Sequence, residues 1–432
     1  MPTAIGKTRL ITSTKATIAS PTNTLKNETG KRMDIPFVAT PDVIEFESKE
    51  LKNRISNYYA IGLPKKAMQL IHHMVKRENA SKYLDGDIEL AKNYLNKLEE
   101  AKNSEEAIVT SHRRAMFTDF GHDTLIYDED PISSLLEIKQ MKISDLFALS
   151  MVVDIPELKY FIEDLERSTP FKIMGTPSYS VNIDKIVEII SEVQSESNFL
   201  DFFNSCYYMR DGATTEDKNS IRKNIIHYVV KRDLPADKKI IIMSATASIP
   251  IYKKMFGDRL VVKKIDDIKQ QGQVRQHTQR SCSRHGLNHY GKRISDEVGN
   301  KPTITFKSMS NLFQNPVDGI WFGNCAGYDK LRGQDIAVVG TPHVNEFLYL
   351  LTAKAIGIDV KTSDNSMSYQ KIEYIGFRFM FNCYDNEELR EIQLSIIEAE
   401  LTQAVGRART LRTNATVDLY SSFPLRITTE FV

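Results

Sequence analysis

Gln403-Ala404-Val405-Gly406-Arg407-Ala408-Arg409 sets two arginines just behind a glycine, near the carboxyl end of a 432-residue chain. Arginine keeps its charge at any working pH, and its planar fork grips two phosphate oxygens at once. A pattern with four specified positions in seven turns up by chance in roughly a few chains per thousand at average residue usage. The plain alternative is a basic, solvated helix end. What favours chemistry is the order of the segments upstream: Gly6-Lys7-Thr8, then Tyr127-Asp128-Glu129-Asp130-Pro131, then Met243-Ser244-Ala245-Thr246. That order suits a two-lobed nucleotide machine. One lobe holds the phosphates and the other extends an arginine toward the γ-phosphate, so that hydrolysis opens and closes a cleft. Arg407 is the expected finger, Arg409 or Arg412 its helper, and Gln403 a contact to the nucleotide.

Gly6-Lys7-Thr8 can cradle a phosphate. Backbone N–H groups at a helix start face the β-phosphate, Lys7 neutralises β and γ oxygens, and the Thr8 hydroxyl ligates magnesium. Alone the triplet is weak, since one like it arises by chance in roughly one chain of this length in five, and a simple turn reads the same. A phosphate loop also hangs from a strand, so the expectation is an apolar strand encoded upstream of Met1, with this chain a fragment. Asp128 and Glu129, after the apolar run Leu125-Ile126-Tyr127, divide a different task. Asp128 holds the magnesium and Glu129 polarises the attacking water. An exposed acidic turn before Pro131 is the bland alternative. Ser244 and Thr246 put small hydroxyls at a strand end, where they cap a helix or relay the state of the nucleotide to a bound strand.

Composition is that of an ordinary globular protein long enough for two or three domains. There is no signal pattern and no long uncharged apolar run. Stretches such as residues 240–243 have the length of a buried strand, so a cytoplasmic protein without a membrane role is expected. The four cysteines, Cys206, Cys282, Cys325 and Cys383, stand singly, without the spacing of a zinc site or an iron–sulfur cluster. A formal net charge of +1 supplies no global field for a polyanion. Any nucleic-acid surface must then be local. The candidate is residues 263–293, where eight basic side chains meet two acidic ones, interleaved with His277, His285, His289 and Tyr290; a solvated loop reads equally well.

Residues 16–19 before Ser20-Pro21-Thr22-Asn23, and residues 107–109 before Thr110-Ser111-His112-Arg113, read as strand, turn and helix. Residues 51–76 and 87–102 are helical by periodicity. Further strands are expected at 239–243, 303–306, 336–339 and 417–420, with helices at 346–355 and 387–403. Residues 132–239 turn predominantly helical, with amphipathic spacing over 143–166 and 183–193, and read as an insertion. A domain boundary near residue 250 follows.

In this order the segments resemble superfamily 2 helicases, the DEAD/DEAH-like class, in the flavour of the replication helicases of phages, plasmids and related mobile elements. The resemblance covers nearly all of the chain except the insertion. Residues 1–8 resemble motif I, 20–24 motif Ia, 110–112 the strand-contact motif after it, and 128–131 motif II written Asp-Glu-Asp-Pro. Residues 244–246 resemble motif III, 304–307 motif IV, 323–329 motif V (with Gly357-Ile358-Asp359 competing for that role) and 403–409 motif VI. The family often spaces the second motif VI arginine three residues after the first. Here Arg409 follows Arg407 by two, a rotation of about 100° on a helix, which leaves Arg407 the safer finger.

The resemblance implies an α/β fold of two RecA-like domains with mainly parallel sheets. The first, residues 1–131 and 240–250, carries the helical insertion 132–239; the second is residues 251–432. It implies ATP and Mg2+ between the domains and a single strand crossing both, gripped through phosphates and sugars. Thr22, Thr110 and His112 on the first domain would touch that strand. DNA is favoured over RNA because the likeness leans toward replication proteins. An RNA helicase of the same superfamily and a non-catalytic nucleic-acid-binding remnant are the alternatives. The insertion is expected to help separate the duplex or to recruit a replication-protein partner, against the plain alternative of a cover over a sheet edge.

Overall fold

The computed structural model describes residues 7–152, 156–176, 197–211, 225–265, 269–325, 330–361 and 366–432. In chain order its strands are β1 (Thr17–Ser20), β2 (Phe37–Ala39), β3 (Ala107–Ser111), β4 (Thr124–Asp128), β5 (Leu136–Lys142), β6 (Met174–Gly175), β7 (Tyr207–Arg210), β8 (Ile225–Lys231), β9 (Lys239–Met243), β10 (Gln273–His277), β11 (Thr303–Ile304), β12 (Ile336–Val339), β13 (Met367–Tyr374), β14 (Phe377–Tyr384), β15 (Thr416–Tyr420) and β16 (Glu430–Phe431).

The first sheet is parallel, in the order β2-β3-β1-β4-β9. Its central strands read as short apolar runs because a parallel sheet is covered on both faces. Ile18, Ile126 and Met243 pack with Ile11 and Ala16 in one cluster, and Ala19, Leu125 and Tyr127 with Ala115 in another. Register then positions the chemistry. Asp128 pairs with Met243, so the acidic residues leaving β4 and the hydroxyls leaving β9 emerge side by side. Ser20 pairs with Ser111, which brings the helix starts after β1 and β3 alongside each other.

Between β2 and β3 stand the helices Lys49–Ala60, Pro64–Met74 and Asp85–Asn103, packed through Ile55, Ala67, Ile71, Met74, Ala91 and Tyr94. The single helix expected over 51–76 breaks at Gly62. Its φ is 87°, and a Cβ there would sit 2.2 Å from Asn198 Oδ1, so only glycine fits.

The second sheet is also parallel, in the order β11-β12-β15-β10-β16. Helix Arg284–Val298 packs Leu287, Ile294 and Val298 with Ala337 and Val339, while helix Glu387–Val405 packs Ile397, Leu401 and Ala404 with Val338, Val417 and Leu419. The antiparallel hairpin β13–β14 adds Ile372, Phe381 and Cys383 to the latter cluster.

The insertion holds helices Ile143–Val152 and Pro156–Arg167, as expected, together with Phe199–Phe203; the helix expected at 183–193 lies outside the described residues. It also contains an antiparallel sheet, β5-β8-β7-β6, that periodicity did not foresee. Met141, Tyr208, Ile226 and Tyr228 pack on the insertion's own helices. Leu136, Met209 and Val229 instead meet Tyr349, Leu350 and Leu351 of helix Glu346–Ala355, which follows β12.

Candidate nucleotide site

Lys7 opens helix Lys7–Ile11 and places its Nζ 3.4 Å from Glu129 Oε1. Gly6 and the Thr8 side chain lie outside the described structure, so Lys7 alone represents the expected cradle. Asp128 closes β4. Burial, then the charge of Glu129, pushes its carboxyl up to about 6, against the pull of Lys7 and Arg32. A buried carboxyl that holds its proton this tightly, with a second acidic side chain next to it, offers hard oxygen donors whose charge a divalent cation would relieve, so the residues present fit a magnesium ion held through Asp128.

Glu129 has a φ of 72°, a left-handed conformation that costs a non-glycine residue about 1–3 kcal/mol. Its backbone N–H donates to Met243 O at 3.2 Å, which ties the acidic turn to β9. Asp130 Oδ1 accepts the Ile132 N–H at 3.0 Å and also the hydroxyl of Tyr252, which lies on helix Ile249–Phe256. Burial pushes the Asp130 carboxyl up to about 6.

After β9, Ser244 Oγ accepts the Thr246 N–H at 3.0 Å and lies 3.4 Å from the Thr246 hydroxyl. Gln403 Nε2 donates to that same Thr246 Oγ1 at 3.2 Å. The Ser248 and Ser395 hydroxyls meet at 2.8 Å, and Lys254 pairs with Glu388. These contacts bind the segment after β9 to helix Glu387–Val405, which leads into the arginines. Arg407 is 6% exposed, and its Nε donates to Gln403 O at 3.2 Å.

The rotation expected between Arg407 and Arg409 does not apply. The α-helix ends at Val405, Gly406–Ala408 form a 3₁₀ turn, and Arg409 is left-handed with φ 58°, so the two arginines do not share one helical frame.

Two of the expected strand contacts are buried. Thr110 has no exposed surface, and its hydroxyl accepts from Thr40 Oγ1 at 3.1 Å. His112 is 2% exposed; its Nε2 lies 3.0 Å from Asp128 O, and its ring stands edge-on to Tyr127. Burial pushes the imidazole down to about 4, so the neutral ring donates to the backbone of the acidic turn. Thr22 is exposed, with its Oγ1 accepting the Leu25 N–H at 3.2 Å as the cap of helix Asn23–Lys31.

The basic stretch is not an open loop. It contains β10 and the start of helix Arg284–Val298, and Arg275 pairs with Glu430, Arg280 and Arg293 with Glu297. Of the motif V segment, Gly323 donates its N–H to Glu400 Oε2 at 2.7 Å, while residues 326–329 lie outside the described structure. Sequence reasoning missed Tyr252, Ser248 and Ser395. Ser248-Ile249-Pro250 does signal a helix start, but what that helix meets is set by the β4–β9 register.

No family model and no curated protein matches this sequence. Solved structures do. One described as an XPD helicase covers 98% of this chain and 91% of its own, with a TM-score of 0.51 at 13% identity. Another, Xpd4 from S. tokodaii, covers 98% of this chain and 90% of its own, with a TM-score of 0.43 at 9% identity. The fold is the two-domain, RecA-like α/β fold of the first of these. At such identity the likeness speaks for the fold, and chemistry rests on the residues.

Proposed function

We propose that this chain is a nucleic-acid-stimulated ATPase working as a helicase or translocase on DNA, with RecA-like units at residues 1–131 with 240–250 and at 251–432. What supports this reading is that Lys7 meets the acidic pair at the end of β4, while the helix leading into Arg407 bonds to the hydroxyl segment after the neighbouring strand β9, along a seam between the two. Lys7 Nζ stands 3.4 Å from Glu129 Oε1, and Gln403 reaches Thr246 across the seam.

When ATP binds, Lys7 exchanges Glu129 for β and γ oxygens. Glu129 is then released to orient the attacking water and take its proton. Asp128 and the Thr8 hydroxyl would hold Mg2+, which when bound neutralises phosphate charge. Arg407 balances the charge that develops on the γ-phosphoryl group, Arg409 assists, and Gly6 and Gln403 complete the nucleotide contacts. Ser244 and Thr246 pass the change to the strand, whose surface contact on the first domain is Thr22. Residues 132–239 cover helix Glu346–Ala355 and, beyond that structural part, serve strand separation or the recruitment of a replication protein.

DNA is preferred on the resemblance to mobile-element replication helicases; comparing ATPase stimulation by single-stranded DNA and RNA of equal length decides between them. A non-catalytic remnant would need neither Glu129 nor Arg407. No helix among the described residues is long and apolar enough to cross a membrane, and the proposed place of work is the cytoplasm. Glu129→Gln is expected to keep ATP binding while turnover falls by about a hundredfold or more, read by nucleotide titration beside phosphate release. Wild-type turnover in that variant would remove Glu129 from the chemistry and the proposal with it.

A further inference from the structure

We infer that Tyr252 is a positioning residue for ATP hydrolysis: through Asp130 it holds the turn that presents Glu129, and through its helix it links that turn to the arginine-bearing helix. The inference deepens the ATPase proposal above and rests on it. Glu129 occupies a left-handed backbone conformation with φ 72°, which a glutamate abandons unless its neighbours overdetermine it. On the amino-terminal side the anchor is the Glu129 N–H to Met243 O at 3.2 Å. On the carboxyl-terminal side it is the Asp130 carboxylate, which takes the Ile132 N–H at 3.0 Å with Oδ1 and the Tyr252 hydroxyl on the same atom.

Tyr252 is well placed to be rigid. It is 3% exposed, and its ring stacks within its own helix on Phe256 at 5.9 Å and 15°. The same helix is fastened at both ends to helix Glu387–Val405, by Ser248 to Ser395 at 2.8 Å and by Lys254 to Glu388. Helix Glu387–Val405 runs directly into Gly406-Arg407. One phenol therefore stands between the acidic turn of the first domain and the element that carries the finger. A shift of either helix on nucleotide binding is felt at Asp130, one residue from the base. The bland alternative is a buried tyrosine satisfying its hydroxyl with whatever carboxylate is near. It predicts no effect on turnover from removing one oxygen.

Tyr252→Phe keeps the ring and its packing. The expected result is a roughly tenfold fall in nucleic-acid-stimulated kcat with the KM for ATP within about twofold. Amide exchange over residues 129–132 should rise about tenfold, while exchange in β1 stays unchanged. Asp130→Ala should fall at least as far, and the double variant no further than Asp130→Ala alone, because both remove the same contact. Wild-type kcat and wild-type exchange at 129–132 in Tyr252→Phe overturn the inference. A wild-type chain that hydrolyses no ATP with DNA or RNA sinks the ATPase proposal instead. The exchange comparison still decides whether Tyr252 holds the turn, since it requires no turnover. Should Asp130→Ala fail to fold, exchange over residues 129–132 in Tyr252→Phe decides alone, a wild-type value counting against the inference.

Discussion

Arg407 sits at the end of a long helix with almost no exposed surface, its Nε given to the Gln403 carbonyl. A planar, permanently charged guanidinium can grip two oxygens of a γ-phosphate and balance the charge that develops there. Arg407→Ala is therefore expected to lower ATP turnover by about a hundredfold or more, the low side of what such fingers contribute, with single-strand affinity little changed. Phosphate release and strand binding measured on one preparation check this, and an effect confined to strand binding moves Arg407 out of the nucleotide site. The arginine could be picked out of the sequence because phosphate chemistry demands that residue type. The frame of its neighbour could not. Periodicity assumes the helix continues, whereas the backbone changes to a 3₁₀ turn at Gly406 and to the left-handed region at Arg409. The partners of Thr110 and His112 were hidden for a related reason: small polar residues at a strand end look alike whether they face water or, as here, Thr40 and the Asp128 carbonyl.

Among elements, strands written as unbroken apolar runs were readable to the residue, as with Lys239–Met243 and Ile336–Val339. β10 was not, because one of its two fully buried positions is a glutamine. Gln276 is fully buried and gives its amide to Ser421 O and Phe423 O while accepting from Leu425 N and the Thr428 hydroxyl. A polar letter thus stands where pattern reading expects an apolar one. The loop after β12 holds a second concealed group. His343 stacks on Phe381 of β14 at 5.1 Å and lies beside Gln393 and Arg284, with burial, then Arg284, pushing its imidazole down to about 4 from 6.5. Between those two values the unfolded chain binds a proton that the folded chain refuses. Stability is therefore unaffected above pH 6.5, falls as the pH drops through the window, and has lost about 2 kcal/mol to this group by pH 5. His343→Phe, which keeps the stack, should show a shallower loss of stability from pH 7 to 5 in urea titrations. Equal slopes would mean that the folded form protonates His343 at its ordinary value.

At the scale of the whole molecule, the insertion is the part whose meaning changes most between sequence and structure. Its amphipathic spacing spoke of helices, and helices Ile143–Val152 and Pro156–Arg167 are there, but β5, β7 and β8 build a sheet that short mixed runs do not announce. A sheet with one face on its own helices must cover the other, and Leu136, Met209 and Val229 do so against Tyr349, Leu350 and Leu351. The insertion therefore spans from the first sheet's acidic turn to the second domain's helix Glu346–Ala355, where Tyr349 and Leu350 have no exposed surface. His227 stacked flat on Phe347 at 3.6 Å continues the same junction. Replacing residues 132–239 with a short Gly/Ser linker would uncover that helix. Burial of a leucine- or tyrosine-sized side chain contributes about 1.5–3 kcal/mol, so losing several at once exceeds the margin by which a domain stays folded. The shortened chain is expected to precipitate or to bind an apolar dye strongly, with loss of ATPase following from loss of fold. A shortened chain that stays monomeric, binds no dye and keeps strand-stimulated ATPase while losing only strand separation would show instead that the second domain stands without this cover, and would assign the insertion to the duplex.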